Sequence, residues 1–96
     1  MKIDFIKNSG TLNIAIEGRL DTTTAPELER FLTQNCVGVD ALTIDCTQLV
    51  YVSSAGLRVI LATQKKLQGK MKLTNVCELV MEVFEMTGFA DILTIE

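Results

Sequence analysis

From Leu12 to the end of the chain, apolar residues switch repeatedly between a two-residue period and a helical one, and that alternation leaves few folds open. Leu12, Ile14 and Ile16 alternate with polar or small neighbours in a strand expected to end at Gly18, after which Leu28, Phe31, Leu32 and Cys36 recur as a helical stripe. Leu42, Ile44 and Cys46 alternate again over a strand predicted at 41–46. A short apolar turn then leads to a helix carrying Leu57, Ile60, Leu61 and Leu67. Met71 and Leu73 mark another strand. Leu79, Val80, Val83, Phe84 and Met86 are expected to face inward from a last helix that Gly88 ends, and Ile92, Leu93 and Ile95 make a final short strand or an extended tail.

A helix joining two neighbouring strands of one sheet requires parallel pairing and a right-handed crossover. Ahead of this series, Ile3 and Phe5 pair with the 12–16 run across Lys7-Asn8-Ser9-Gly10, whose residue types suit a tight reversal. The expected fold class is therefore α/β: a mixed, mostly parallel four- to five-stranded sheet with an N-terminal antiparallel hairpin and three to four helices. With 96 residues and 48% hydrophobic content, the chain makes one domain, 1–96, with a core large enough to need no staples.

Within this frame, the stretch Tyr51-Val52-Ser53-Ser54-Ala55-Gly56-Leu57-Arg58 joins the end of an apolar run to the start of a helix. A hydroxyl at a helix N-terminus can accept a hydrogen bond from an unpaired first-turn N–H, and the local dipole also favours a phosphate there. Serine is among the commonest N-cap residues, so the pair by itself favours a purely structural cap. Asp21 and Asp45 fall near strand ends on the side of a parallel sheet where ligand sites lie, although a capping or a hydrogen-bonded carboxylate explains them as well. Pro26 suits the first turn of the preceding helix, and Asp21 with Thr22, Thr23 and Thr24 offers it several caps.

Several chemistries have no residues to support them. The chain contains no histidine, which removes the Ser-His-Asp and Cys-His arrangements and imidazole zinc sites. Gly69-Lys70 follows a helix instead of opening one, so no phosphate-cradling nucleotide loop is expected. Cys36, Cys46 and Cys77 are odd in number and widely spaced, which suggests reduced thiols and a cytoplasmic setting, with Cys36 and Cys46 as small core residues. A net charge of −3 without a basic cluster argues against direct nucleic-acid binding. Met1-Lys2 opens directly into Ile3-Asp4-Phe5, so neither a leader nor membrane insertion is expected. No enzyme, metal site or cofactor is indicated; the expectation is a binding module.

The ordered set of strand, Asp45, Ser53-Ser54-Ala55-Gly56-Leu57 and an apolar helix resembles the STAS domain, the anti-sigma factor antagonist family. Gly18-Arg19-Leu20-Asp21 followed by Thr22-Thr23-Thr24-Ala25-Pro26-Glu27-Leu28 is similar to that family's first strand-to-helix crossing. Val83-Phe84-Glu85-Met86-Thr87-Gly88-Phe89 is similar to its last helix and stop. The resemblance spans nearly the whole chain. It implies that the serine two residues before Gly56, Ser54, is the phosphoacceptor. Many members carry Asp immediately before that serine; here Ser53 stands in its place and is the alternative acceptor.

It also implies partner switching. Asp21, Ser53, Ser54, Ala55, Gly56, Leu57 and Arg58 would bind an anti-sigma factor with serine kinase activity, which holds the ATP, and a separate serine phosphatase would reset Ser54. The alternative within the family is a structural subunit of a lipid-transport ATPase or of a larger sensing assembly.

Overall fold

Strand β1 (Lys2–Asn8) turns through Ser9 and Gly10 into β2 (Thr11–Leu20), and helix α1 (Ala25–Asn35) leads to β3 (Ala41–Val52). Helix α2 (Ser54–Lys66), β4 (Met71–Thr74), helix α3 (Glu78–Met86), a 3-10 turn at Phe89–Asp91 and β5 (Thr94–Ile95) complete the chain. The computed structural model describes residues 1–96. The five strands lie in the order β1-β2-β3-β4-β5; β1 pairs antiparallel with β2, and all later pairs are parallel. Both hairpin-turn residues have positive φ, 26° at Ser9 and 90° at Gly10, the handedness a two-residue turn needs to match strand twist.

The three crossovers all step the same way across the sheet, so right-handed connections place all three helices on one face. Burial agrees. Leu12, Ile14, Ile16, Leu42, Ile44, Met71 and Leu73 are buried under Leu28 and Leu32 of α1, Leu57 and Ile60 of α2, and Val80 and Phe84 of α3. On the opposite face Asn13, Glu17 and Thr47 are exposed. Phe5, on the helix side of the edge strand, is half-exposed and meets Phe31 edge-on at 5.1 Å between ring centroids.

Three expectations need correction. Strand β2 continues past Gly18 to Leu20, and β3 continues past Cys46 to Val52, so no turn separates Asp45 from the serines. The reason is that β3 slips register twice against β2: Ala15 pairs with Asp45 but Glu17 with Gln48, and Gly18 pairs with Leu49 but Arg19 with Tyr51. Each slip puts one extra residue into β3, a bulge, and its buried positions become 42, 44, 46, 49 and 52. A two-residue period therefore holds only as far as Cys46. Asp45 accordingly lies within β3, not near its end, at the last residue that pairs with β4.

The third correction concerns the end of the chain, where Leu79 and Met86 are 55% and 86% exposed and Ile92 is also exposed. In α3 only Val80 and Phe84, four residues apart on one stripe, are fully buried. The other ends follow their turn chemistry. Pro26 sits in the first turn of α1, Gln68 and Gly69 take positive φ after α2, and Gly88 does so after α3.

Asp45 holds a junction in place. Its Oδ1 accepts from the Thr47 hydroxyl at 2.6 Å, the Thr47 N–H at 3.0 Å and Asn75 Nδ2 at 3.2 Å, tying the first bulge of β3 to the chain leaving β4. These donors, the Thr47 hydroxyl foremost, hold the Asp45 carboxyl below the usual carboxylate range. A carboxylate whose folded pKa is depressed contributes stability above its unfolded pKa and loses it as pH falls through the folded value. Melting temperature should therefore fall as pH drops below about 4. Asp45→Asn should start lower at neutral pH and fall less steeply; parallel wild-type and variant curves from pH 6 to 2.5 would reject this role.

Candidate functional site

The C-terminal ends of β2 and β3 are bound together before α2 begins: the Ser53 N–H donates to Leu20 O at 2.9 Å, and Leu57 N donates to Ser53 O at 2.9 Å. Ser53 has extended backbone, φ −102° and ψ 175°, and its hydroxyl accepts from Gly56 N at 3.5 Å. That is N-cap geometry with a long hydrogen bond. The two serines thus divide the roles that the sequence left open. Ser53 is the half-buried cap, whereas Ser54 is the first helical residue, exposed, and its hydroxyl makes no hydrogen bond within the chain.

Removal of the cap tests this division. Ser53→Ala should cost about 1 kcal/mol of stability and Ser54→Ala only a few tenths, as befits a surface position. Urea titration of both variants separates them, and a larger loss at Ser54 would reverse the roles.

The remaining residues of the predicted set fall into two groups. Arg58 is exposed and Ala55 half-buried, but Gly56 and Leu57 are buried and support the site from behind. The approach at Gly56 is very close. A Cβ built there would lie 2.6 Å from Leu20 Cγ, 2.9 Å from Leu20 Cδ2 and 3.0 Å from Leu20 O.

Asp21 stands one residue beyond Leu20, so the Leu20–Ser53 bond brings it to the same end of the sheet. Its Oδ1 accepts from the Thr23 hydroxyl at 2.8 Å, Thr23 N at 3.0 Å and Thr24 N at 3.2 Å. The Thr23 hydroxyl is the main cause of a carboxyl pKa below the usual range. Thr24 is the N-cap of α1, but its hydroxyl donates back to Arg19 O at 2.7 Å and caps no helix N–H. Asp21 and the threonines therefore organise the loop ahead of α1.

Sequence reasoning placed Arg19 in a motif but not in the site. The structure sets its guanidinium 4.2 Å from the ring centroid of Tyr51 and its Nε 3.7 Å from Asp21 Oδ2. The available signal was a lone tyrosine just before the serines and an arginine two residues before Asp21.

The thiols and clefts lie elsewhere. Burial pushes the Cys46 pKa up to about 12 and, to an extent opposed by Lys66 and Lys7, raises that of Cys36. A cleft of about 500 Å³ runs between α1 and α2 past Arg30, Leu32, Cys36, Val59 and Lys66, and neither serine lines it. A smaller one, about 210 Å³, reaches Ala55 and Arg58. No three His, Cys, Asp or Glu side chains are grouped to hold a metal ion, and no helix is long and apolar enough to cross a membrane.

Comparison with known proteins gives one consistent answer. The chain is 38% identical over 96 residues to BtrV of Bordetella bronchiseptica, covering 96% of this chain and 83% of that one. It is 31% identical over 98 residues to the anti-sigma-B factor antagonist of Bacillus subtilis, covering 99% and 90%. The fold matches the anti-sigma factor antagonist SpoIIAA in its unphosphorylated form with a TM-score of 0.84 at 18% identity, over 99% of this chain and 88% of the other. Against phosphorylated SpoIIAA the TM-score is 0.75 at 17% identity, over 99% and 91%. The family description STAS domain matches residues 2–96, and with relatives matched along most of their length this chain belongs to the STAS domain family.

Proposed function

We propose that this chain is an anti-sigma factor antagonist that works by partner switching, with Ser54 as its phosphoacceptor. The observation behind this reading is the division of labour between the two serines: Ser53 caps α2, which leaves the Ser54 hydroxyl exposed and unused. Relatedness to named anti-sigma-B factor antagonists supplies the partner class. With Ser54 free, the surface formed by Asp21, Ser53, Ser54, Ala55 and Arg58 binds an anti-sigma factor with serine kinase activity, and the sigma factor is released.

Phosphorylation of Ser54 ends that binding, and a serine phosphatase restores it. The chain is a substrate and a ligand in this cycle, while ATP and catalysis belong to the cytoplasmic kinase. A phosphate on the first helical residue lies where the helix dipole favours negative charge, so the fold tolerates it.

The test is phosphate transfer from ATP by the kinase-type anti-sigma factor, mapped by mass spectrometry. Incorporation should be lost in Ser54→Ala and kept in Ser53→Ala. The reverse pattern would move the acceptor to Ser53, and no incorporation into the wild-type chain would overturn the switch.

A further inference from the structure

We infer that the partner surface extends from Ser54 onto the exposed end of the sheet, where Val50, Tyr51 and Arg19 form a second contact that takes an acidic residue flanked by an apolar one. This rests on the proposed function, since the partner is the same kinase-type anti-sigma factor, but it is carried by different observations.

The first observation is the second bulge of β3. Between the pairs Gly18–Leu49 and Arg19–Tyr51 the strand holds one extra residue, Val50, which is 54% exposed. Bulges commonly re-aim a side chain beside a functional site. Here the bulge leaves a β-branched apolar residue facing water three positions before the Ser53 cap.

The second observation is the state of Arg19. Its side chain is 61% exposed, yet its position is set by Tyr51 at 4.2 Å and Asp21 at 3.7 Å. An arginine has five N–H donors, and none of those on Arg19 makes a hydrogen bond within the chain. Asp21 approaches Nε, which leaves the two terminal nitrogens to receive a carboxylate side by side. A guanidinium already held on a ring loses little freedom when it binds, and tyrosine and arginine are both enriched among energetically dominant interface residues. A cation held in place at the same end of the sheet as the switch serine is complementary to an acidic partner segment.

Binding of the purified kinase-type anti-sigma factor to full-length variants, measured by calorimetry, tests this. Arg19→Ala and Val50→Glu should each weaken binding about tenfold, the size of one well-formed contact. Tyr51→Phe, which keeps the ring, should bind as wild type, and Tyr51→Leu, which removes the platform, should weaken binding about threefold. Raising salt from 0.05 to 0.3 M should weaken the wild type more than Arg19→Ala, because only the wild type carries the screened pair. If Arg19→Ala and Val50→Glu stay within twofold of wild type while Ser54→Asp still weakens binding, the extended contact is wrong and the switch stands. If the wild-type chain does not bind the kinase, the switch falls and this contact with it.

Discussion

Phosphorylation of Ser54 should weaken binding of the anti-sigma factor by about 2 to 5 kcal/mol, roughly thirtyfold to several thousandfold in Kd. A phosphate adds about −1.5 to −2 charge and must be desolvated or repelled when a partner covers it. In the free domain the same group sits on an exposed first helical residue, where the dipole favours it, so its cost falls on the complex and not on the fold. Aspartate carries about half that charge on a shorter arm, and Ser54→Asp should weaken binding by about tenfold, or ~1.4 kcal/mol. Ser54→Ala should bind at least as tightly as the unmodified chain. Calorimetric titration of the three proteins checks the series. Equal affinities for all three would leave Ser54 without a switching role, and the alternative reading as a structural subunit would become the better description.

The largest stability effect should come from the glycine behind the serines. Gly56→Val should destabilise the domain by about 3 kcal/mol, the upper end of what forced overpacking costs. Leu20 is fully buried, and the nearest neighbours of the missing Cβ include its backbone carbonyl as well as its side chain. A rotamer change alone therefore cannot clear the space. Gly56→Ala is the finer test, because alanine gains up to ~1 kcal/mol of helix propensity against the same collision. It should be destabilising in the wild-type background and close to neutral, or stabilising, with Leu20→Ala. Additive effects in that double-mutant cycle would mean that α2 does not approach β2 as closely as described.

These two sites were legible in the sequence to different degrees. The hairpin turn, the start of α1 at Pro26 and the ends of α2 and α3 were readable because each depends on a residue type whose backbone preference acts locally. Residues 47–52 were not, because the bulges replace a spacing of two with a spacing of three, and a broken alternation reads as a turn. The inward prediction for Leu79 and Met86 failed because their apolar run wraps most of a nine-residue helix, while one stripe of it reaches the core.

At the site, the serines and Gly56 were visible as a local pattern. Which serine caps the helix was not, since that depends on where α2 starts to within one residue. The stacking of Arg19 on Tyr51 is a consequence of the second register slip, a long-range property that neither segment carries alone.

If Ser54 is the phosphoacceptor as proposed, the cap on Ser53 also bears on how fast the signal can be written. A hydroxyl locked into a helix cap reaches a kinase only after the first turn frays, so its modification rate would scale with the small population of opened molecules. Ser54 needs no such opening. In the proposed cycle its turnover by kinase and phosphatase would be set by encounter and chemistry, and a change that stabilises α2 should lengthen the protein's lifetime without slowing its response.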